Sequence, residues 1–164
     1  MTFSASESVY KIMLLYLQPF ELAMLTGEHS DSTYLNAVAN GSTEYVTSQF
    51  CTDLDNALYV AADNSQHDVI HALIDLGATN LNLALFRAIV FGKLETIELF
   101  IYLGADALDK ALMVAAAAGN CPAIKLLAIG KCEIDEAINT AIFNGRNDAT
   151  ALLINLKNRR VVVR

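Results

Sequence analysis

The sequence is poor in two features that would place it outside the cell or in a membrane. Its three cysteines, Cys51, Cys121 and Cys132, are odd in number and widely spaced. A secreted disulfide framework needs a closely patterned, even set, so we expect a reducing compartment and a cytoplasmic protein. Charged residues interrupt every apolar stretch before it reaches the roughly 18 residues that cross a bilayer, so we expect no membrane association.

Basic residues are scarce in the first half of the chain. Residues 1–82 carry ten acids and a single base, Lys11, for a net charge of −9, whereas the remainder has a net charge of +2. Contacts to phosphate supply much of the affinity of nucleic-acid-binding proteins, so this half would repel such a ligand. The sequence therefore predicts a protein partner and no nucleic acid.

Motifs for catalysis are also scarce, and no glycine-rich phosphate loop is present. His67 and His71 are spaced to share a helix face and hold zinc. However, Asp68 stands where the zincin pattern has glutamate, and His29 is the sole remaining histidine. The two C-terminal cysteines lie far along the chain from any histidine base, which a nucleophilic cysteine requires. We predict no catalytic, cofactor-binding or metal-binding residue.

A repeat of 26 or 27 residues organises the rest of the chain. Four segments align at 54–80, 81–107, 108–133 and 134–158, with a degraded copy at 33–53. In each, an aliphatic residue precedes an alanine by three positions, which puts both on one helix face. A serine or glycine then ends that helix four residues later. These positions are Leu58, Ala61 and Ser65; Leu85, Ala88 and Gly92; Leu112, Ala115 and Gly119; and Ile138, Ala141 and Gly145.

A second helix follows in each segment and completes a helix–turn–helix unit. Acids or proline suit its first turn, and Gly77, Gly104 and Gly130 end it as left-handed caps do. Helices this short are unstable alone, so neighbouring units must stack to form a core. We predict an all-α solenoid of repeats at 33–158, after an N-terminal helical cap at 1–32. A basic tail at 159–164 either closes the last repeat, frays, binds an acidic partner, or adds an edge strand to a partner.

The residue types at these repeated positions resemble those of the ankyrin repeat. The segments ALYVAADNSQHDVIHALIDLGATN and ALFRAIVFGKLETIELFIYLGADA are similar to its helix–turn–helix, each with a Gly-Ala exit at Gly77–Ala78 or Gly104–Ala105. The resemblance covers residues 33–158, but the family's Thr-Pro-Leu-His opening is absent. The period also falls about six residues short of the family's ~33. The missing residues form the family's β-hairpin fingers, so the resemblance implies tight loops and a nearly all-α fold. Similar compressed repeats occur in ankyrin proteins of large DNA viruses and intracellular bacteria.

The resemblance also implies a binding surface. In the ankyrin family, partners lie along the concave face that is formed by the first helices of successive repeats. Phe91 and Phe143 come shortly before the turn glycines, where an exposed repeat usually has polar residues. Together with Arg87 and Asp63, they would form an apolar groove with charged flanks. The positions predicted to face a partner are Val60, Asp63 and Asn64; Arg87, Val90 and Phe91; Val114; and Thr140, Phe143 and Asn144.

The function predicted from these features is non-catalytic protein binding, as an adaptor or inhibitor. The cytoplasmic location would be the host cytosol if the chain comes from a virus or an intracellular bacterium. A structural unit that joins copies of itself is the alternative, so both a monomer and a homodimer stay open. A metal-dependent enzyme is a third and more distant alternative, which stoichiometric zinc in the purified protein would support.

Overall fold

The computed structural model describes residues 31–48, 53–129 and 132–162, and within these ranges the chain forms helices and tight turns without any strand. The predicted all-α class is therefore confirmed for this part of the chain. The predicted N-terminal cap lies almost wholly outside the described residues, as do His29, Cys51 and Gly130. The helices are α1 Asp31–Ala39, α2 Thr43–Ser48, α3 Leu54–Asn64, α4 His67–Asp75, α5 Leu81–Val90, α6 Leu94–Tyr102, α7 Leu108–Ala118, α8 Cys121–Leu127, α9 Ile134–Phe143 and α10 Asn147–Val162.

The first compact unit spans Met1–Ala78 and contains α1 to α4 as two helical hairpins. α1 packs on α2 and α3, and α4 packs on α2 and α3. The Tyr45 side chain is fully buried, and its ring centroid lies 6.4 Å from that of Tyr34. The Tyr34 hydroxyl donates a hydrogen bond to the Val46 carbonyl oxygen at 3.2 Å. Burial raises the pKa of the Tyr45 phenol, because the charged form would lose its hydration.

The second compact unit spans Thr79–Arg164 and contains α5 to α10 as three hairpins. The first helices α5, α7 and α9 pack side by side in that order, and so do the second helices α6, α8 and α10. Within each hairpin the two helices also pack on each other. Consecutive hairpins of this unit therefore bury matching faces against their neighbours.

Every first helix ends in the same turn, which reverses the chain into the second helix. In α5, the Gly92 amide donates to the Ile89 carbonyl and the Lys93 amide donates to the Ala88 carbonyl, at 3.2 and 2.9 Å. This pair of bonds is the Schellman pattern, which needs a left-handed residue at its centre. Gly92 supplies it with a φ of 71°. The same two bonds close α1, α3, α7 and α9, so the predicted turn positions coincide with the helix ends.

The alanine that accepts the shorter of these two bonds also lets neighbouring helices approach. Its side chain is fully buried in every hairpin, and the methyl group leaves little distance between helix axes. The aliphatic residue three positions earlier is fully buried at Leu58, Leu85 and Leu112. The buried alanines are Ala37, Ala61, Ala88, Ala115 and Ala141.

A polar residue at the second position of the first helix ties successive hairpins of the second unit together. The Asn82 side-chain oxygen accepts hydrogen bonds from the Asp106 and Ala107 amides, both at 3.0 Å. The Asn82 amide group in turn donates to the Asp106 carboxylate at 2.9 Å. One hairpin later, the Asp109 carboxylate accepts from the Glu133 amide at 2.8 Å. Each bond fixes the residues immediately before the next first helix, where backbone amides have no partner within the helix.

The last helix is longer than the sequence pattern predicts. α10 continues to Val162 and so includes residues 159–162 of the predicted basic tail. In the preceding repeats, Gly77 and Gly104 lie two residues after the ends of α4 and α6 and have positive φ angles. Lys157 occupies the equivalent position of the last repeat, and no glycine follows it to stop the helix.

Candidate functional site

Seven of the predicted partner-facing residues lie on the first helices of the second unit, near the turns. Phe143 is 91% exposed, Val90 60% and Phe91 53%, while Asn144 is also exposed. Moving a large apolar side chain from water into a fully buried site is favourable by about 2–3 kcal/mol. These exposed side chains therefore form a surface that gains stability when another molecule covers it.

The central first helix, α7, lies between the two helices whose ends carry Phe91 and Phe143. α7 lies between α5 and α9, and its turn end consists of residues 115–118, all alanine. Val114 on α7 is half-buried, as are Arg87 on α5 and Thr140 on α9. The name aromatic strip is used below for Val90, Phe91, Ala117, Ala118 and Phe143. Val90 and Phe143 are the last residues of α5 and α9, Ala117 and Ala118 end α7, and Phe91 directly follows α5.

Polar groups around the aromatic strip are oriented by bonds within their own helices. The Arg87 guanidinium lies 5.7 Å from the centroid of the Phe91 ring, which is a cation–π arrangement. On α9, the Thr140 hydroxyl donates to the Glu136 carbonyl and the Asn144 side chain donates to the Thr140 carbonyl, both at 2.8 Å. The strip therefore combines exposed apolar surface with a fixed cation at one end.

The three predicted residues of the first unit occupy the equivalent positions on α3. Val60 and Asp63 are half-buried and Asn64 is exposed. The Asn64 side chain donates to the Val60 carbonyl at 2.8 Å. This region is more polar than the turn ends of α5 and α9, and no large exposed hydrophobic side chain lies on α3.

A column of long polar side chains, which the sequence pattern did not single out, holds the turns in place. In the second unit, the Asn120 side chain donates to the Ile89 carbonyl at 2.8 Å, and Arg146 Nε donates to the Ala117 carbonyl at 2.9 Å. In the first unit, Gln66 makes the equivalent bond to Ala39 at 2.9 Å. All three follow the turn residue directly. A long donor at this repeat position is the signal that would have identified the column.

A polar depression of about 390 Å³ lies beside the turn of α9. Its lining consists of Ala118 and Gly119 on one side and residues 145–149 on the other. The Arg146 side chain, which bonds to the Ala117 carbonyl, is among the residues that form it. The aromatic strip therefore borders a polar recess at its α9 end.

The residues considered for metal or thiol chemistry are dispersed. His67 is half-buried at the start of α4 and His71 is exposed one turn later. Across residues 31–48, 53–129 and 132–162, no group of three histidine, cysteine or acidic side chains is arranged to hold a metal ion. Cys121 is half-buried, whereas Cys132 is buried with its sulfur 3.5 Å from the Leu127 carbonyl oxygen.

None of the helices within the described ranges is both long enough and apolar enough to cross a membrane. Comparison of the chain with known family models gives no match, and comparison with curated proteins gives none either.

Proposed function

We propose that this chain is an ankyrin-like solenoid that binds a partner protein, without catalysis, through the first-helix face of its repeats. Regular packing of equivalent helices within each unit supports the repeat assignment. The predicted residues on α5, α7 and α9 belong to this face of the second unit, and the aromatic strip is its principal contact. The predicted residues on α3 occupy the equivalent positions of the first unit. Such a module acts as an adaptor or inhibitor by covering part of its partner's surface.

The exposure of Phe91 and Phe143 carries this proposal. Aromatic residues that enter a partner's pocket commonly dominate the affinity of protein interfaces. Phe143 is the last residue of α9 and Phe91 directly follows α5, and the turn bonds described above hold both helix ends. Because little ordering is then required on binding, more of the burial energy appears as affinity.

Charge around the strip indicates the chemistry of the partner. The turn-proximal halves of the three first helices, residues 86–91, 113–118 and 139–144, contain one charged side chain, Arg87, and no acid. A carboxylate on the partner would be attracted to this guanidinium. We therefore expect the partner to present an apolar segment with an acidic residue near one end.

Selection from a displayed peptide library tests both the surface and the partner chemistry. The wild-type chain is expected to enrich apolar peptides that contain an acid. Phe91→Glu and Phe143→Glu are each expected to weaken their binding roughly tenfold or more, as measured by calorimetry. Arg87→Glu is expected to weaken it as well and to reverse its dependence on salt, because salt would then screen a repulsion instead of an attraction.

Tyr102→Glu is the matched control for these variants, because Tyr102 is 85% exposed but lies at the end of α6, a second helix. Circular dichroism must first show that each variant retains the wild-type helix content. If Phe91→Glu and Phe143→Glu bind the selected peptides as tightly as Tyr102→Glu does, the aromatic strip is not the binding surface.

A further inference from the structure

The aromatic strip has a low centre between two groups of larger side chains. Val90 ends α5 and Phe91 follows it, and Phe143 ends α9, whereas the corresponding residues of α7 are Ala117 and Ala118. Both alanines are half-buried, while Phe143 is 91% exposed. The methyl groups of α7 therefore form the floor of a shallow depression, and the residues of α5 and α9 form its raised ends.

Helix packing sets the span of this depression. α7 lies between α5 and α9, and the axes of packed helices lie roughly 8–10 Å apart. The two raised ends are therefore separated by about 16–20 Å. An α-helix rises about 1.5 Å per residue, so a helical segment of about 12 residues covers the same distance. Its side chains at positions i, i+4, i+7 and i+11 share one face, which can cover the whole strip.

Backbone hydrogen bonding favours a helical partner over an extended one. Extended partners obtain backbone hydrogen bonds from an exposed strand edge, and the described residues form no strand. The Asn120, Asn144 and Arg146 side chains at these turns donate to carbonyl oxygens of the unit itself. An extended backbone pressed against methyl and phenyl groups would leave buried amides without partners, which is costly. A helix pairs these groups internally and can present only its apolar side chains to the strip.

Charge distinguishes the two ends of the strip. At the α5 end, the Arg87 guanidinium lies 5.7 Å from the centroid of the Phe91 ring. The equivalent residue of α9 is the uncharged Thr140. The recess at the α9 end is lined by both Arg146 and Asp148, whose opposite charges offset each other at a distance. A carboxylate on the partner is therefore attracted chiefly to the α5 end, which gives the bound segment a favoured direction.

We propose that the partner covers the aromatic strip with an amphipathic α-helix of about three turns, which crosses the ends of α5, α7 and α9. Large apolar side chains at its central positions, i+4 and i+7, lie above Ala117 and Ala118. Smaller apolar side chains at i and i+11 meet Phe91 and Phe143, and a carboxylate beside the Phe91 contact pairs with Arg87. This inference rests on the proposed function, because it specifies the partner of the same surface.

Selection from a library displayed on a helical scaffold tests this partner. Positions i, i+4, i+7 and i+11 and their neighbours are randomised, and flexible peptides of the same length are selected in parallel. We expect the helical library to enrich phenylalanine, leucine or methionine at i+4 and i+7, with an acid near one end. The flexible library should yield sequences without proline that become helical when bound, as measured by isotope-filtered nuclear magnetic resonance.

Ala118→Phe tests whether a large side chain of the partner lies above the centre of the strip. The equivalent position of α5 is already a phenylalanine, Phe91, so the variant should keep the wild-type helix content. It fills the depression and should raise the Kd of a selected peptide roughly tenfold. Replacing the peptide's central large residues with alanine should recover part of this loss. Ala151→Phe is the matched control, because Ala151 is exposed on α10, a second helix, and should leave the Kd unchanged.

The helical partner is overturned if the helical library enriches no sequence or if the selected peptides bind in an extended conformation. It is also overturned if Ala118→Phe binds as tightly as Ala151→Phe does. A wild-type dimer that Phe143→Glu dissociates would instead assign the strip to a second copy of the chain. The helicity of the bound peptide needs no variant, so it decides the question even if Ala118→Phe loses its fold.

Failure of the proposed function would look different. In that case Phe91→Glu and Phe143→Glu would leave the binding of selected peptides unchanged, whatever conformation the peptides adopt. If both variants weaken binding while the bound peptide is extended, the aromatic strip is the binding surface and only the helical partner is wrong.

Discussion

Ser65 adopts a backbone conformation that ordinary side chains rarely tolerate. It closes α3 with a φ of 58°, and among the described residues it is the only non-glycine with a positive φ. Glycine occupies the equivalent turn position in the other hairpins, for example at Gly92 and Gly145. A left-handed L-residue costs roughly 1–2 kcal/mol, so one turn of the first unit is strained.

We expect Ser65→Gly to increase the free energy of unfolding by about 0.5–1 kcal/mol, because the gain in the turn exceeds the added entropy of the unfolded chain. Urea denaturation, followed by circular dichroism, measures this change. Gly92→Ala is the matched opposite: a new methyl group there would meet no atom within 4 Å, so backbone strain alone should destabilise the chain. If both variants unfold like the wild type, the turn geometry contributes nothing to stability.

The repeat pattern predicted which positions are buried better than it predicted which positions are exposed. A fully buried position such as Ala88 is recognisable because it repeats in every segment. Ile142 also fits that pattern, yet it is exposed, since its burial depends on a neighbour that the described chain does not supply. Phe91 and Phe143 were recognisable as departures from the pattern near polar turns. Their use as a binding surface stays a prediction.

At the scale of helices, the repeat pattern identified where four of the first helices begin. α3, α5, α7 and α9 start at Leu54, Leu81, Leu108 and Ile134, the first residues of the four aligned segments. Turn glycines are informative because few other residues tolerate positive φ. The extension of α10 was missed because a helix end was expected from the length of the other repeats, although no glycine ends it.

The contacts that link one hairpin to the next were not predictable from the sequence. An acid or amide near the start of a helix is equally expected for its interaction with the helix dipole or as part of a cap. The structure shows that Asn82 and Asp109 instead bind the following repeat. Distinguishing these roles requires the position of residues about 24 places further along the chain, which local patterns do not contain.

Replacement of Asn82 measures the strength of this link. Asn82→Ala removes bonds to the Asp106 and Ala107 amides and to the Asp106 carboxylate. At about 0.5–1.5 kcal/mol for each bond, with partial replacement by water, we expect a loss of roughly 2 kcal/mol in unfolding free energy. Asn139→Ala on the exposed side of α9 is the control and should change it by less than about 0.5 kcal/mol. Equal denaturation midpoints would show that water replaces these bonds without loss.

At the scale of the whole chain, the negative charge and the proposed binding surface lie in different parts of the sequence. The net charge of −9 lies within residues 1–82, whereas the aromatic strip lies in the more basic remainder. The proposed binding surface uses residues that the packing of the unit does not require. A repeat fold permits this separation, because its core columns fix the stacking while the remaining positions are free to vary.

The proposed solenoid also predicts which hairpins of the second unit a core substitution should destabilise. In a stack, each hairpin is stabilised by its own core and by its nearest neighbours, so the terminal hairpin can unfold alone. Leu153 is fully buried in the last hairpin, and Leu153→Ala should cost about 2–5 kcal/mol there. Hydrogen exchange should therefore accelerate in α9 and α10 while α5 and α6 keep their wild-type protection.

Leu112→Ala provides the comparison, since Leu112 is equally buried but lies on α7, which contacts both α5 and α9. This variant should accelerate exchange on both sides of the central hairpin, because two neighbours lose packing at once. A globular core would respond differently: either substitution would lower the protection of all six helices by the same factor, as expected for all-or-none unfolding. Uniform acceleration in Leu153→Ala would thus contradict the solenoid, whereas acceleration confined to α9 and α10 would support stacking as the source of stability.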